Sequence, residues 1–237
     1  MRTATPMPTD PDSLLFLLQA GDALFPTGAY AHSFGLEGLT EFGVVRDAES
    51  LGTYLAQSLI PSVFAADVPL LAAAHAAAGA GDVARLCELD EWAGALKGTR
   101  ELREASRRTG SQRLAVVEAL TPSPLWPVLA AARAAGRWHG HAPVAFGVVC
   151  AVRGVAVVEA ATAYTYQAAA GAVSAALKLL RLGQNAGQRV LQAALPAIAA
   201  GVPAAIARPA EEAGWFAPLV DVASARHETA YTRLFIS

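Results

Sequence analysis

The sequence has little charge and almost no lysine. Only 16% of its 237 residues are charged, 54% are hydrophobic, and the net charge at pH 7 is −2. This balance offers no basic surface for nucleic acid or for an anionic membrane. Lys97 and Lys178 are the only lysines. We expect a globular protein that covers more apolar surface than a typical soluble monomer, in part through contact with other subunits.

Cysteine and long apolar runs are scarce as well. Cys87 and Cys150 stand far apart, which fits a reducing compartment and provides no disulfide or metal framework. Residues 1–12 lack the charged start and the apolar run of a signal peptide. The longest apolar stretch, residues 142–152, is too short to span a bilayer. These features predict a soluble, cytoplasmic protein without a membrane partner.

Capping residues and turns divide most of the chain into helices. The pattern predicts helices over residues 47–61, 63–78, 83–96, 99–120 and 125–135, and a buried helix or a strand over residues 142–152. Residues 159–182 carry small side chains every three or four positions, which predicts the central helix of a bundle. Gly183 is expected to end that helix. Another helix begins near Asn185, and Pro196 should kink or end it.

These segments predict an all-α protein, a single-domain bundle of about ten helices. Residues 1–12 are expected to form a short flexible segment, residues 13–207 the helical domain, and residues 208–237 a separate tail. The tail carries Tyr231, Arg233, Leu234 and Phe235, and such residue types are favoured anchors in interfaces. The tail is therefore expected either to fold back on its own domain or to dock on another protein.

The segment from Leu24 to Glu37 is chemically dense. Residues 31–35 read Ala-His-Ser-Phe-Gly and resemble a nucleophile elbow, and Asp221 and His227 follow Ser33 in the order of a hydrolase triad. An elbow needs a strand before the serine, however, and a turn precedes it here. No phosphate-binding Gly-Lys motif is present, which excludes nucleoside triphosphate hydrolysis by this chain itself.

Three further patterns have both a structural and a functional interpretation. His139 and His141 could ligate a metal, although third and fourth ligands are missing nearby. Ser106 and Gly110 interrupt a charged helix, and Gly110 is expected to permit close packing. Glutamines at 184, 188 and 192 share one helix face, and they form either a hydrogen-bond ladder inside the bundle or a contact strip for a partner.

Four blocks together resemble the urease accessory protein UreF family over nearly the whole chain. The first comprises Leu24-Phe25-Pro26-Thr27-Gly28 with Tyr30, Ser33 and Gly35-Leu36-Glu37, and Phe25 departs from the small residue of many members. The second comprises Arg100-Glu101 with Ser106 and Gly110. The third runs from Lys178 to Gln188 with the core Leu-Gly-Gln-x-x-Gly-Gln, and the fourth is Thr232-Arg233-Leu234-Phe235-x-Ser237.

The resemblance implies an all-α homodimer without a reaction of its own. Such a protein joins UreD, also called UreH, to the GTPase UreG during nickel insertion into apo-urease. It has no cofactor of its own, because its partners handle nickel and GTP. Candidate partner-binding residues are Tyr30, Ser33, Glu37, Lys178, Gln184, Gln188, Tyr231, Arg233, Leu234 and Phe235. Candidate structural residues are Gly28, Gly35, Ser106, Gly110 and Gly183.

Two alternatives from other classes stay open. A small esterase would use Ser33 as its nucleophile. A free-standing nickel chaperone would bind the metal through His139, His141 or His227.

Overall fold

The all-α prediction is confirmed. The computed structural model describes residues 10–28, 33, 35–227 and 234–235, except for the side chain of His227. Within these ranges the chain forms ten helices and no strand. The helices are α1 (Pro11–Gly21), α2 (Leu36–Glu41), α3 (Ala48–Ala80), α4 (Val83–Ala95), α5 (Arg100–Leu120), α6 (Leu125–Ala134), α7 (Ala142–Val152), α8 (Val157–Leu179), α9 (Gln184–Ala207) and α10 (Pro218–His227).

The first helix begins earlier than the expected domain boundary. The Asp10 side chain accepts a hydrogen bond from the Ser13 backbone N–H at 3.1 Å, and Pro11 occupies the first turn. An aspartate cap followed by proline is a strong start for a helix, because the proline has no N–H to leave unsatisfied. The expectation of a flexible segment through residue 12 is therefore wrong for residues 10–12.

Helix α3 is a single run where two helices were predicted. It begins at the predicted Asp47 cap, whose carboxylate and Ser50 form a reciprocal capping box, but it continues past Pro61 to Ala80. Two π-helical turns, Leu55–Leu59 and Val63–Asp67, flank this proline. The wider turns accommodate the missing N–H and the bulk of the ring, which would otherwise break a regular α-helix.

Helix α7 lies at the centre of the core. Its eight consecutive residues Pro143–Cys150 are all buried, and it packs against α3, α5 and α8. Gly147 permits the closest crossing, because a Cβ there would overlap the backbone carbonyl of Leu71 on α3. The apolar run is thus a helix buried on all sides.

Helix α8 carries the predicted small-residue stripe, but it ends earlier than expected. Ala161, Thr165 and Ala172 of the stripe are buried, and α8 packs against α9 and α7. It ends at Leu179, and Gly183 has an extended backbone with φ −74° as the residue before α9. The prediction that Gly183 ends α8 is therefore wrong, because Gly183 caps the start of α9 instead.

Helix α9 continues through Pro196 and Pro203 to Ala207. It and α3 are long and apolar enough to pass a test of length and composition for membrane spans, a property that the sequence analysis overlooked. The most apolar window of α3 is 50% buried in the bundle, whereas that of α9 is only 28% buried. Core helices of proteins outside membranes pass the same test, but α9 leaves much of its apolar surface uncovered.

Candidate functional site

Helix α2 organises the N-terminal side of the candidate site. Gly35 precedes it with φ +83°, a left-handed conformation that other residues adopt only with strain. The buried Ser33 Oγ accepts a hydrogen bond from the Glu37 backbone N–H at 3.3 Å. This bond satisfies one of the free N–H groups at the helix start. Gly28, with φ +71°, lies in the turn before it, where a Cβ would come within 3.2 Å of the Gln112 side chain.

The tail is not separate from the bundle. Helix α10 packs on α2 and α5, and the contact with α2 depends on Gly38, where a Cβ would lie 2.6 Å from the Ala223 carbonyl oxygen. The buried Ser224 hydroxyl lies 2.9 Å from that of Thr99, which caps α5. Hydrogen bonding and close packing therefore hold α10 against the domain.

The chain end is held by Glu37. Its carboxylate accepts hydrogen bonds from the backbone N–H groups of Leu234 at 2.8 Å and Phe235 at 3.1 Å. Glu37 and Phe235 are only 4% and 5% exposed. The Lys178 ammonium lies 5.3 Å from the centre of the Phe235 ring, within range of a cation–π interaction. Residues from three of the predicted blocks thus meet at one point.

Burial changes how several candidate residues can act. Ser33, Glu37 and Phe235 were predicted to contact partners, but their side chains face the interior of this structure. They can position the chain end, whereas the neighbouring Leu234, which is 72% exposed, can touch a partner directly. Tyr30, Tyr231 and Arg233 lie outside the described residues.

Large apolar side chains are exposed on α10, on the segment before it, at the end of the neighbouring α2 and on the chain end. We call this surface the tail face. Trp215 is 46% exposed and Phe216 is 83% exposed, and both line a crevice between the start of α10 and α3. Exposed apolar side chains on neighbouring elements, here α10, the end of α2 and the chain end, are typical of interaction sites on proteins. The tail face comprises Phe42, Trp215, Phe216, Leu219, Val222 and Leu234. The sequence signal for it was the adjacent Trp215-Phe216 pair, which the sequence analysis passed over.

The glutamine strip lies on the surface. Gln184, Gln188 and Gln192 are all exposed, as is Lys178 at the end of α8. A buried hydrogen-bond ladder is therefore excluded, and the strip is free to contact another molecule.

Ser106 and Gly110 belong to a second, internal cluster. A Cβ at Gly110 would overlap the Gly140 carbonyl oxygen, so α5 approaches the loop before α7 closely. The Ser106 hydroxyl accepts a hydrogen bond from the Ala142 N–H at 3.1 Å and lies 3.3 Å from the His141 ring. The same loop donates three backbone N–H groups to the fully buried carboxylate of Asp90. Nothing local in the sequence marks Asp90, because its partners are about fifty residues away.

The geometry gives no support to the two alternatives. The buried Ser33 hydroxyl is engaged with α2, so a substrate carbonyl has no access to it in this conformation. The rings of His139 and His141 lie 6.3 Å apart, and burial lowers the pKa of His141. Within the described residues, no three His, Cys, Asp or Glu side chains are grouped as metal ligands would be.

The bundle and the tail face define the class of protein, an all-α protein with an exposed apolar surface beside its chain end. The UreF family model matches residues 45–195. A urease accessory protein UreF from Chromohalobacter salexigens is 34% identical over 228 residues, which cover 96% of each chain. Its counterpart from Xanthobacter autotrophicus is 38% identical, covering 96% of this chain and 92% of the relative. The chain belongs to the UreF family of urease accessory proteins.

Proposed function

We propose that this chain is a non-catalytic adaptor in the cytoplasmic maturation of urease. It joins UreD (UreH), which contacts apo-urease, to the GTPase UreG, and it regulates GTP-dependent nickel insertion. Nickel and GTP are handled by the partners. The observation that carries the proposal is the tail face, which combines Leu234 of the chain end held by Glu37 with the exposed Trp215 and Phe216 before α10. Apolar and aromatic side chains of this kind supply most of the energy of protein interfaces.

The tail face is the proposed docking site for UreD. Truncation of Phe216, which is 83% exposed, should remove an anchor without disturbing the core. We expect Phe216→Ser to reduce recovery of UreD in co-purification by about tenfold or more. Leu120→Ser is the matched control, since Leu120 is 60% exposed at the end of α5. Full recovery of the UreD–UreG complex after deletion of residues 229–237 would contradict a docking role of the tail.

The glutamine strip is the proposed contact for UreG. Its members are exposed polar groups near Lys178, and they suit a hydrated contact that forms and dissociates during a GTPase cycle. We expect Gln188→Ala combined with Gln184→Ala to lower UreG recovery and to change the GTP hydrolysis rate of UreG, while UreD recovery stays normal. Gln19→Ala, another exposed glutamine, is the control. Unchanged recovery and hydrolysis would remove the strip from the proposal.

Helix α9 is the proposed homodimer contact. Ala193, Ala197, Ala200 and Ala204 form an exposed stripe of small residues, a pattern that lets another helix approach closely. Ala197→Glu should shift the protein toward monomers in sedimentation velocity, because the introduced charges would be buried in the contact. Ala115→Glu on the exposed side of α5 should not. A dimer that withstands Ala197→Glu would place the contact elsewhere.

A further inference from the structure

A cavity of about 240 Å³ lies between α3, α5 and α8, and Trp215 of the tail face contributes to its lining. Side chains of α3, α5 and α8 line it. Residues at the end of α1 and in the segment after it, and residues of the segment before α10 and at its start, complete the lining. Most of the wall area is apolar, as at Leu59 and Val63, and polar and charged side chains, among them Asp22, Asp221 and Arg113, complete it. Cavities of this composition are typical of small-molecule sites, where apolar walls hold the body of a ligand and polar groups orient it.

One wall of the cavity is formed by a buried cation. The side chain of Arg113 is 6% exposed, and its guanidinium lies between the rings of Phe146 at 4.6 Å and Phe25 at 5.6 Å. It donates to the Ala20 carbonyl oxygen at 3.1 Å and to Gln167 Oε1 at 3.2 Å. Both acceptors are neutral. Burial lowers the pKa of Arg113 to about 10, so the group still carries its charge at neutral pH.

The second cation that lines the cavity, Lys97, forms an ion pair with a carboxylate. The Lys97 ammonium lies 2.6 Å from the Asp67 carboxylate, whose second oxygen accepts the Tyr164 hydroxyl at 3.2 Å. Asp67 is thus fully engaged with Lys97 and Tyr164. Within the described part of the chain, no carboxylate forms an ion pair with Arg113. A buried charge without a partner is costly, and proteins retain one where it serves a purpose.

The guanidinium retains capacity for an anion. It has five N–H donors in a planar fork, and the two hydrogen bonds to Ala20 and Gln167 use two of them. A planar carboxylate matches this fork, because two parallel N–H···O bonds form at once. The two neighbouring rings and the two hydrogen bonds restrict the guanidinium, so little of its freedom has to be lost on binding.

From this arrangement we propose that the cavity binds a small organic monocarboxylate, with its carboxylate on Arg113 and its short hydrocarbon chain against the apolar wall. The largely apolar lining selects against phosphate and chloride, because a dianionic phosphate costs more to desolvate than a monocarboxylate and a chloride ion cannot form the bidentate pair. The occupied site would neutralise the charge of Arg113 and bridge α5 to α3 and α8. Binding would stabilise the fold by mass action.

The test uses the full chain and sodium propionate labelled with ¹³C at the carboxylate. We expect a saturable ¹³C shift and a rise of Tm with propionate concentration, neither of which an equal ionic strength of phosphate or chloride produces. Arg113→Met keeps the length and the apolar packing of the side chain, and it should weaken propionate affinity by about tenfold or more. Arg153→Met is the matched control, since Arg153 also stacks on a phenylalanine ring, at 5.0 Å, but pairs with Asp12.

A second variant keeps the test decisive if Arg113→Met does not fold. Ala66→Leu adds bulk to the cavity wall and leaves Arg113 in place, and it should also abolish saturable binding. Three outcomes would overturn the proposal. They are the absence of saturable binding to the wild type, propionate binding that Arg113→Met and Ala66→Leu leave unchanged, and phosphate binding as strong as that of propionate.

Discussion

Two buried carboxylates in this protein each accept hydrogen bonds from the backbone N–H groups of a distant segment. Asp90 accepts the backbone N–H groups of His139 at 2.5 Å, Gly140 at 3.0 Å and His141 at 2.6 Å. Glu37 accepts those of Leu234 and Phe235. Both residues are almost fully buried, yet the segments that they hold differ. The Asp90 loop leads into the core helix α7, whereas Glu37 holds a chain end whose Leu234 is 72% exposed.

The difference lies in what surrounds each hydrogen-bonded segment. Trp138 beside the Asp90 loop is 2% exposed, and α5 closes over the loop at Gly110. Opening that loop would therefore expose the core. Among the two described residues of the chain end, Phe235 is the buried side chain that release would expose. A carboxylate that binds backbone N–H groups can thus fix a fold permanently or hold a segment reversibly, depending on how much apolar surface moves with it.

The largest effect is expected from Asp90→Asn. The amide keeps one acceptor oxygen and turns an N–H₂ donor toward backbone donors, so at least one buried N–H loses its partner. We expect the free energy of unfolding to fall by about 3 kcal/mol, the size of a lost charged hydrogen bond plus an unsatisfied buried group. Urea unfolding measures this. A loss below about 1 kcal/mol would show that the carboxylate is not what holds the loop.

The second effect concerns the helix that closes over the same loop. Gly110→Ala would place a Cβ against the Gly140 carbonyl oxygen and push α5 away from the loop. We expect a loss of about 2 kcal/mol, typical of overpacking. Gly79→Ala is the control, because a Cβ at Gly79 meets nothing within 4 Å, and alanine there should keep or raise stability. Equal effects of the two substitutions would contradict a close approach at Gly110.

Local sequence signals predicted several helix starts, whereas no local signal marked the partners of these two carboxylates. The caps at Asp47, Asp82 and Thr99 are local signals, and the structure confirms all three helix starts. The hydrogen bonds of Glu37 span 197 and 198 residues, and no local pattern encodes such a pairing. The continuation of α3 through Pro61 was not predicted for a similar reason, since π-helical turns depend on the packing around them.

A third, more local effect is expected from Glu37→Gln. The amide retains one acceptor for the two N–H groups of the chain end, so about 1.5 kcal/mol of local stability should be lost. Amide hydrogen exchange of the C-terminal peptide should then accelerate about tenfold, while global unfolding changes little. Glu41→Gln, on an exposed residue of the same helix, is the control. If exchange at residues 234–235 stays at the wild-type rate, the chain end is held by packing alone.

The smallest effect separates the two carboxylates by pH, because the loop bound by Asp90 carries the buried His141, whereas the described partners of Glu37 include no histidine. Burial lowers the pKa of His141, and the nearby Asp90 opposes this only in part. The unfolded chain therefore binds more protons than the folded one as pH falls through the ordinary histidine pKa of about 6.5, and stability should decline in that window. We expect urea unfolding between pH 8 and pH 5 to show this decline in the wild type and a flatter profile in His141→Asn, whatever the baseline loss of the variant. His139→Gln, at an exposed neighbour, should retain most of the decline.

Since the Glu37 contact has no such histidine among its described partners, amide hydrogen exchange of the chain end should not follow the same pH dependence. A chain end that loosened in parallel with the core would mean that both segments open as one cooperative unit.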